Sequence, residues 1–249
     1  LEALNFLTVF CTCTNRGETC LASQKAVSAL GIPLSVLNVS EEYLHVVKNP
    51  KHGYGSNMNP CIDCRIFMMK KAKAYMGEIG ASFIVTGEDL GERPMSQRRD
   101  SMRLIEKEAG LDGLILRPLS AKLLPASIPE KEGWVDREKL LKIQGRSRKP
   151  QIQLASHYGI RDYPCPAGGC LLTDPGFAKR MRDLIHHHSD FTLNDVHLLK
   201  MGRHFRLSPK LKLVVGRNEE ENQKIQTFSE EGDILLKLSH FPGPLSLLR

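Results

Sequence analysis

The chain has 249 residues, of which 41% are hydrophobic and 25% charged, and its formal net charge is +7. These values are typical of a globular protein with one large or two ordinary domains. No apolar run approaches the roughly 18–20 residues of a membrane-spanning helix, so no membrane partner is expected. The seven cysteines are odd in number and closely grouped, which disfavours a secreted disulfide framework and indicates metal or redox chemistry in a reducing cytoplasm.

Strands and helices alternate along the first two thirds of the sequence. Apolar runs predict strands over residues 4–10, 34–39, 81–86 and 114–116, and helices are predicted over 22–30, from 40, and over 61–79, 97–109, 136–143 and 149–158. This order predicts an α/β fold with a doubly wound parallel sheet. After residue 175 the pattern changes to a small α+β module, with helices predicted over 174–187 and within 219–228 and a strand over 211–215. We therefore predict domains at 1–175 and 176–249.

The segment NPCIDC, residues 59–64, opens the most periodic of the predicted helices. It places Cys61 and Cys64 in the first turn, where unpaired N–H groups and the helix dipole favour a thiolate. A CxxC pair at a helix start is compatible with a redox pair, half of a zinc site or part of an iron–sulfur site.

Several residues of the kinds that often bind ligands directly follow the predicted parallel strands. They are Cys11, Cys13, Gly87, Glu88 and Arg117. Ligands of doubly wound sheets bind at the carboxyl ends of the strands, so these residues predict a site. Glu88 is compatible with nucleotide or magnesium binding and equally with a capping role, while Gly87 favours a close backbone approach to a ligand.

Two basic groups indicate a phosphate-rich partner. Arg98 and Arg99 belong to the first, and Arg146, Arg148 and Lys149 to the second, which contains no acidic residue between 142 and 161. We predict that these five residues contact RNA backbone; the alternative is an ordinary solvated face.

Three segments resemble the tRNA thiolation enzymes of the PP-loop ATP-pyrophosphatase superfamily. They are NPCIDC at 59–64, FIVTGEDLGERPMSQ at 83–97 and KPQIQLASHYGIRDYPCPAGGCLLT at 149–173. The resemblance implies an adenine nucleotide α-hydrolase-like fold, ATP and Mg²⁺ as cofactors, and nucleotide contacts at Phe10, Gly87 and Glu88. It also implies tRNA and a sulfur donor (a protein persulfide or sulfide) as partners, with a homodimer as one option.

The same resemblance assigns roles to three cysteines. Cys64 and Cys170 match the catalytic pair of the persulfide-using relatives, and Cys61, Cys64 and Cys170 match the ligands of a 4Fe–4S cluster in other relatives. The implied reaction adenylates a uridine carbonyl oxygen and replaces it by sulfur. Cys61 is needed only with a metal, which favours the cluster.

The phosphate loop Ser-Gly-Gly-x-Asp-Ser of this superfamily does not occur in the sequence. Either the strand–loop–helix that carries it lies outside these 249 residues, or the chain is a degenerate member of the superfamily. We do not expect the chain by itself to hydrolyse ATP.

A separate resemblance covers the C-terminal end. Residues 214–218, Glu221, Asn222 and 242–244 are similar to the NFACT-type RNA-binding domain. This implies RNA contacts at Arg217 and Asn218, with a turn role as the alternative.

The rival interpretation is an RNA-binding protein without catalytic activity. In that case Cys61, Cys64, Cys165 and Cys170 form a structural zinc site. Cys20 is expected to be a plain buried thiol under either interpretation.

Overall fold

The computed structural model describes residues 1–12, 19–160 and 169–249, and it has a mixed α/β architecture. Cys13 and Cys165 lie outside the described residues, so the predictions made for them are not addressed by the structure. The first elements are β1 (Ala3–Leu7), α1 (Thr19–Ala29), β2 (Leu34–Asn38), α2 (Ser40–Lys48) and α3 (Cys61–Glu78). They are followed by β3 (Ile84–Val85), α4 (Arg99–Ala109), β4 (Ile115–Leu116), α5 (Ile128–Lys131) and α6 (Lys149–His157).

The predicted parallel pairing is present, but a single doubly wound sheet is not confirmed. β1 pairs with β2 and β3 pairs with β4, each in parallel, as two separate two-stranded sheets within the described residues. A cleft of about 1070 Å³ is lined by residues 1–8 of the first sheet and 81–86 of the second. The two sheets therefore border one cavity and do not share hydrogen bonds across it.

The edge of β1 that faces away from β2 is turned towards this cleft. Ala3 N donates to Pro33 O (2.9 Å) and Leu7 O accepts from Val39 N (3.0 Å), which places the odd-numbered residues of β1 against β2. Because successive peptide groups of a strand point to opposite edges, those of Leu4 and Phe6 point the other way.

The prediction of a helix over residues 136–143 is wrong. The structure has only a 3₁₀ turn at Arg137–Lys139, and the residues after it run alongside the end of β4. Leu141 N donates to Pro118 O (2.9 Å) and Ile143 N donates to Leu119 O (2.7 Å). These tertiary hydrogen bonds use the amide groups that a helix would have required.

Two further helices, α7 (Pro175–His187) and α8 (Leu193–Leu198), complete the main core. Phe177 and Met181 of α7 pack in the same buried cluster as Phe10 and Tyr43. Asp174 caps α7 through its Oδ1, which accepts from Phe177 N (2.6 Å). The predicted domain boundary at residue 175 remains a prediction, and α7 packs against the N-terminal part of the chain.

The C-terminal part is a four-stranded antiparallel sheet with one helix. β5 (Arg203–Ser208), β6 (Leu211–Val215), β7 (Ile234–Leu236) and β8 (Ser246–Leu248) are arranged in the order β5-β6-β8-β7. The helix α9 (Glu219–Thr227) buries Ile225 in a separate core with Val214 and Leu247. Among the described helices, none combines the length and apolar character needed to cross a membrane.

Candidate functional site

Three chain segments that are distant in sequence converge at the end of β1. Residues 8–12 follow the strand, residues 57–64 lead into α3, and residues 169–173 precede α7. Leu171 N donates to Phe10 O (2.9 Å), Thr12 N donates to Gly169 O (3.1 Å), and Met58 N donates to Leu172 O (3.1 Å). The sequence-predicted cysteines Cys61, Cys64 and Cys170 are carried by these hydrogen-bonded segments.

The first turn of α3 is fixed by its own sequence. Pro60 precedes the helix, and Cys64 N donates to Pro60 O (2.7 Å). The Asp63 carboxylate accepts from the backbone N–H groups of Lys51 (3.1 Å) and His52 (2.9 Å), so it anchors the preceding loop. The spacing i, i+3 then brings Cys61 and Cys64 to one face of the helix.

The thiols share one cavity. Cys11, Cys61, Cys64 and Cys170 all line the cleft between the two parallel sheets, and each is present as a thiol. Cys64 and Cys170 also pack against the main core. The structure therefore brings together the two residues that the sequence assigned to catalysis.

The described side chains do not form a ready-made metal site. Among residues 1–12, 19–160 and 169–249, no group of three or more His, Cys, Asp or Glu side chains is arranged to hold a metal ion. The predicted ligands Cys61, Cys64 and Cys170 nevertheless line the same cleft. If a 4Fe–4S cluster is bound, these three thiols are the residues that would hold it, and the fourth predicted zinc ligand, Cys165, lies outside the described residues.

Burial dominates the protonation of the thiols. It raises the pKa of Cys170 to about 12, while the backbone N–H of Leu172 opposes this rise. Burial also raises the pKa of Cys64, and the Tyr43 hydroxyl and the Arg65 guanidinium oppose it. The expectation that the helix start makes the Cys61 and Cys64 thiolates easy to form is therefore wrong, because desolvation penalises the charged form more strongly.

The pKa of Cys61 is raised by burial as well. Here the guanidinium groups of Arg93 and Arg65 oppose the effect. Both arginines line the cleft, so its thiols lie in a cationic environment. Such an environment favours an anionic sulfur species once one is formed.

Glu88 is buried and connects the cysteine helix to the end of β3. Its Oε1 lies 3.2 Å from Arg65 Nε, and its Oε2 lies 3.1 Å from Arg117 Nε. Arg117, also buried, makes a second ion pair with Glu106. Both carboxylate oxygens of Glu88 are thus occupied by arginine, and its predicted contact with nucleotide stays a prediction.

The other two predicted nucleotide contacts lie in different surroundings. Phe10 is 1% exposed and lines the cleft, and its ring packs edge-on against Tyr43 and Phe177. Gly87 lines a separate cavity of about 300 Å³, together with Asp89 and Gln151. The structure does not bring the three residues together around one pocket.

The predicted RNA contacts of the N-terminal part lie on neighbouring loops. Arg98, Arg99, Arg146 and Lys149 are exposed. Gly145 N donates to Leu90 O (2.7 Å), which joins the loop before Arg146 to the loop before Arg98. Arg148 forms an ion pair with Glu92 (2.7 Å), so its charge is partly compensated.

Arg217 and Asn218 have structural contacts in the C-terminal part. Arg217 Nε donates to Glu221 Oε1 (2.9 Å), and Asn218 Oδ1 accepts from Glu221 N (2.9 Å) as the cap of α9. Both residues are exposed. The turn role is therefore present, and RNA binding by the same residues remains a prediction.

The remaining residues of the C-terminal motif also hold the module together. Asn222 Oδ1 accepts from Leu245 N (2.9 Å), and Gly216 N donates to Leu245 O (2.9 Å). A Cβ atom at Gly216 would collide with Asn222 Oδ1. A side chain at Gly216 would therefore displace the Asn222 amide that binds Leu245.

Two residues of the site were missed by sequence reasoning. Arg65 directly follows the CxxC pair, and its position in the first turn of α3 was an available signal. Tyr43 lies on α2, is 2% exposed and places its hydroxyl beside Cys64. No local pattern connects Tyr43 to the cysteines, since only the packing of α2 against α3 brings them together.

Comparison with known families gave two matches. Residues 23–122 match the family model described as "Thiamine biosynthesis protein (ThiI)", and residues 202–249 match the one described as "NFACT protein RNA binding domain". No significant match to the chain was found among curated proteins or solved structures. The two matches confirm the architecture indicated by the sequence motifs: a region similar to the ThiI family model is followed by a C-terminal region similar to the NFACT RNA-binding domain model.

Proposed function

We propose that this chain is part of a tRNA sulfurtransferase that replaces a uridine carbonyl oxygen by sulfur. The observation that carries the proposal is the convergence of Cys64 and Cys170 on one cleft, in a chain with ThiI-family and RNA-binding regions. Thiolation of tRNA needs both a sulfur-carrying residue and a surface for RNA, and these features supply them.

The proposed reaction uses the two thiols in sequence. One of Cys64 and Cys170 carries a persulfide, whose outer sulfur attacks the activated carbon of the uridine while AMP leaves with the oxygen. The other cysteine then attacks the inner sulfur. The S–S bond breaks, its electron pair stays on the sulfur bound to uridine, and a Cys64–Cys170 disulfide remains.

The protein's contribution to this chemistry is electrostatic. The thiols are protonated at rest because they are buried, so a persulfide, which is more acidic than a thiol, is the species that ionises beside Arg65 and Arg93. Glu88 acts through Arg65, the residue after Cys64, because it holds the Arg65 guanidinium in place.

Activation of the uridine oxygen requires ATP and Mg²⁺, which we propose as co-substrate and metal. The nucleotide is proposed to bind beyond the strand ends, at the end of β1 near Phe10, and Gly87 lines a second cavity that is the alternative place. The arginine pairs of Glu88 make it a positioning residue in this proposal, and not a magnesium ligand.

We propose the persulfide version as the simpler one, because it needs only Cys64 and Cys170, and both of these residues line the cleft. If a 4Fe–4S cluster is bound, Cys61, Cys64 and Cys170 are the residues that would hold it, and it would supply an iron that binds the transferred sulfide.

Binding of tRNA is proposed to involve both the basic loops around Arg98 and Arg146 and the C-terminal module. The sulfur donor is proposed to be a protein persulfide or sulfide, and the cytoplasm is the proposed compartment. A homodimer is a further proposal. In it, the basic loops of one copy and the C-terminal module of the other would bind the same tRNA.

The test is deletion of the gene in its source organism, followed by nucleoside mass spectrometry of total tRNA. We expect the loss of one thiouridine and its return with the wild-type gene, but not with Cys64→Ser or Cys170→Ser. An unchanged thionucleoside profile would overturn the proposal. Stoichiometric zinc together with that unchanged profile would support the alternative, an inactive RNA-binding protein with a structural zinc site.

A further inference from the structure

Cys11 and Cys170 face each other directly across two antiparallel segments. They form an isolated antiparallel bridge, although they are 159 positions apart in the chain (170 minus 11). The two hydrogen bonds that define the bridge join Leu171 N to Phe10 O (2.9 Å) and Thr12 N to Gly169 O (3.1 Å). Both bonds lie on the residues before and after the cysteines, and neither involves the cysteine peptide groups themselves.

This pattern identifies the pair as a non-hydrogen-bonded one. In such pairs the Cα atoms lie about 4.5 Å apart and the side chains approach more closely than in hydrogen-bonded pairs. A disulfide spans Cα separations of about 4.4–6.8 Å. Cys11 and Cys170 are therefore within disulfide range with little movement of the backbone.

The close approach depends on a glycine and a threonine. The Thr12 hydroxyl donates to Gly169 O (3.1 Å), which adds a third bond to the bridge. A Cβ atom at Gly169 would lie 2.6 Å from Thr12 Cγ2, so a side chain there would push the segments apart. The two cysteines are half-buried and both line the cleft, which leaves them accessible to a small reagent.

Resting on the proposed function, we propose that Cys11 is a third redox residue, which takes over the disulfide formed between Cys64 and Cys170. The Cys11 thiolate attacks Sγ of Cys170, a Cys11–Cys170 bond forms, and the Cys64–Cys170 bond breaks. Cys64 leaves as a thiolate and takes up the proton that Cys11 released, so the step involves no net oxidation. A cellular dithiol then reduces the Cys11–Cys170 bond.

The exchange returns Cys64 to its reduced form beside Arg65 before the external reductant acts. It also gives a role to a cysteine that the catalytic pair and the CxxC motif do not use. Thr8 Oγ1 lies 3.4 Å from Cys11 Sγ and helps to hold this side chain at the end of β1.

The experiment maps disulfides in the full chain, with Cys13, Cys20 and Cys165 replaced by serine. The protein is oxidised anaerobically with one equivalent of the thiol oxidant diamide, blocked with iodoacetamide and digested with trypsin. Cys11, the Cys61/Cys64 pair and Cys170 then fall in separate peptides, 1–16, 52–65 and 162–179. Mass spectrometry identifies which peptides are joined.

We expect the 1–16/162–179 product to dominate and to persist in Cys64→Ser. Gly169→Ala should reduce its yield, while Gly77→Ala, where a Cβ meets nothing within 4 Å, should leave it unchanged. A product that joins only 52–65 to 162–179, or no joined product in a chain whose circular dichroism is native, would overturn the inference. Because the map requires no tRNA, its result is independent of whether the chain thiolates uridine.

Discussion

The Nε atom of Arg65 lies 3.2 Å from Oε1 of Glu88, and this contact joins the cysteine helix α3 to the end of β3. Glu88 is 6% exposed, and its second oxygen is bound by Arg117. Since Arg65 is the residue after Cys64, the position of the CxxC pair depends on a carboxylate in another part of the chain.

Replacement of Glu88 by alanine should destabilise the protein strongly. It leaves the buried guanidinium of Arg117 short of one partner, and removal of one member of a buried pair typically costs roughly 3–5 kcal/mol. The free energy of unfolding in urea measures this. Glu138→Ala is the matched control, because this carboxylate is 86% exposed and pairs only at the surface with Lys122, where such pairs contribute about 0–1 kcal/mol. Equal losses of stability in Glu88→Ala and Glu138→Ala would contradict the conclusion that Glu88 holds a buried ion pair.

Gly169→Ala should lower the free energy of unfolding by roughly 1–3 kcal/mol, because the new Cβ overlaps with the Thr12 side chain. Gly77→Ala is the control on the exposed side of α3, where alanine should raise stability by roughly 0.5–1 kcal/mol through helix propensity. In denaturant unfolding, the free energy of unfolding should therefore fall for Gly169→Ala and rise for Gly77→Ala, each compared with the wild type. A neutral Gly169→Ala would show that the bridge between residues 11 and 170 is looser than its hydrogen bonds indicate.

Stability should depend on pH through His204. Burial lowers the pKa of this imidazole to about 3, with a further contribution from the charge of Lys212, while its Nε2 donates to Met201 O (2.7 Å). The unfolded chain takes up a proton near pH 6.5 and the folded chain only near pH 3, so stability is complete above pH 6.5 and decreases as the pH falls through this window.

The slope in that window should be at most about 1.4 kcal/mol per pH unit for one proton. His204→Gln keeps a side-chain donor and removes the titration, so its unfolding free energy should change less between about pH 6.5 and pH 4. His240→Gln, at an exposed position, serves as the control. If the unfolding free energies of wild type and His204→Gln change with pH in parallel, the prediction is refuted.

Cys61→Ala separates the two forms of sulfur chemistry. We expect thiolation in the complemented deletion strain to persist, since the proposed cysteine pair consists of Cys64 and Cys170. Iron and acid-labile sulfide, measured on protein purified without oxygen, should be substoichiometric in both wild type and variant. Stoichiometric iron that disappears together with thiolation in Cys61→Ala would instead establish the three-cysteine cluster.

The exposed cations of the basic loops should contribute to tRNA binding through phosphate contacts. Arg146→Gln combined with Lys149→Gln should weaken binding and reduce the slope of log affinity against log salt by about 0.7–0.9 for each phosphate that is no longer neutralised. Lys131→Gln, an exposed cation on α5, is the control. A filter-binding series in which the double variant keeps the wild-type slope would assign these residues to a solvated face.

The sequence by itself indicated the two regions of the chain, and it singled out Cys64 and Cys170 as candidate catalytic residues. The order of strands and helices predicted parallel pairing, and the motifs around Cys64 and Asn222 indicated the families of the two parts, as the family matches confirm. Such patterns are local, because periodicity and turn chemistry depend on residues only a few positions apart.

Only the tertiary structure decided the arrangement of the site. It placed Cys11 opposite Cys170, brought Tyr43 to Cys64 and occupied both oxygens of Glu88 with arginine. In place of the helix predicted over residues 136–143 it formed a 3₁₀ turn, followed by residues that bond to 118 and 119. These outcomes depend on long-range hydrogen bonds and on desolvation, and for the cysteines desolvation raised the pKa values that the helix start alone was expected to lower.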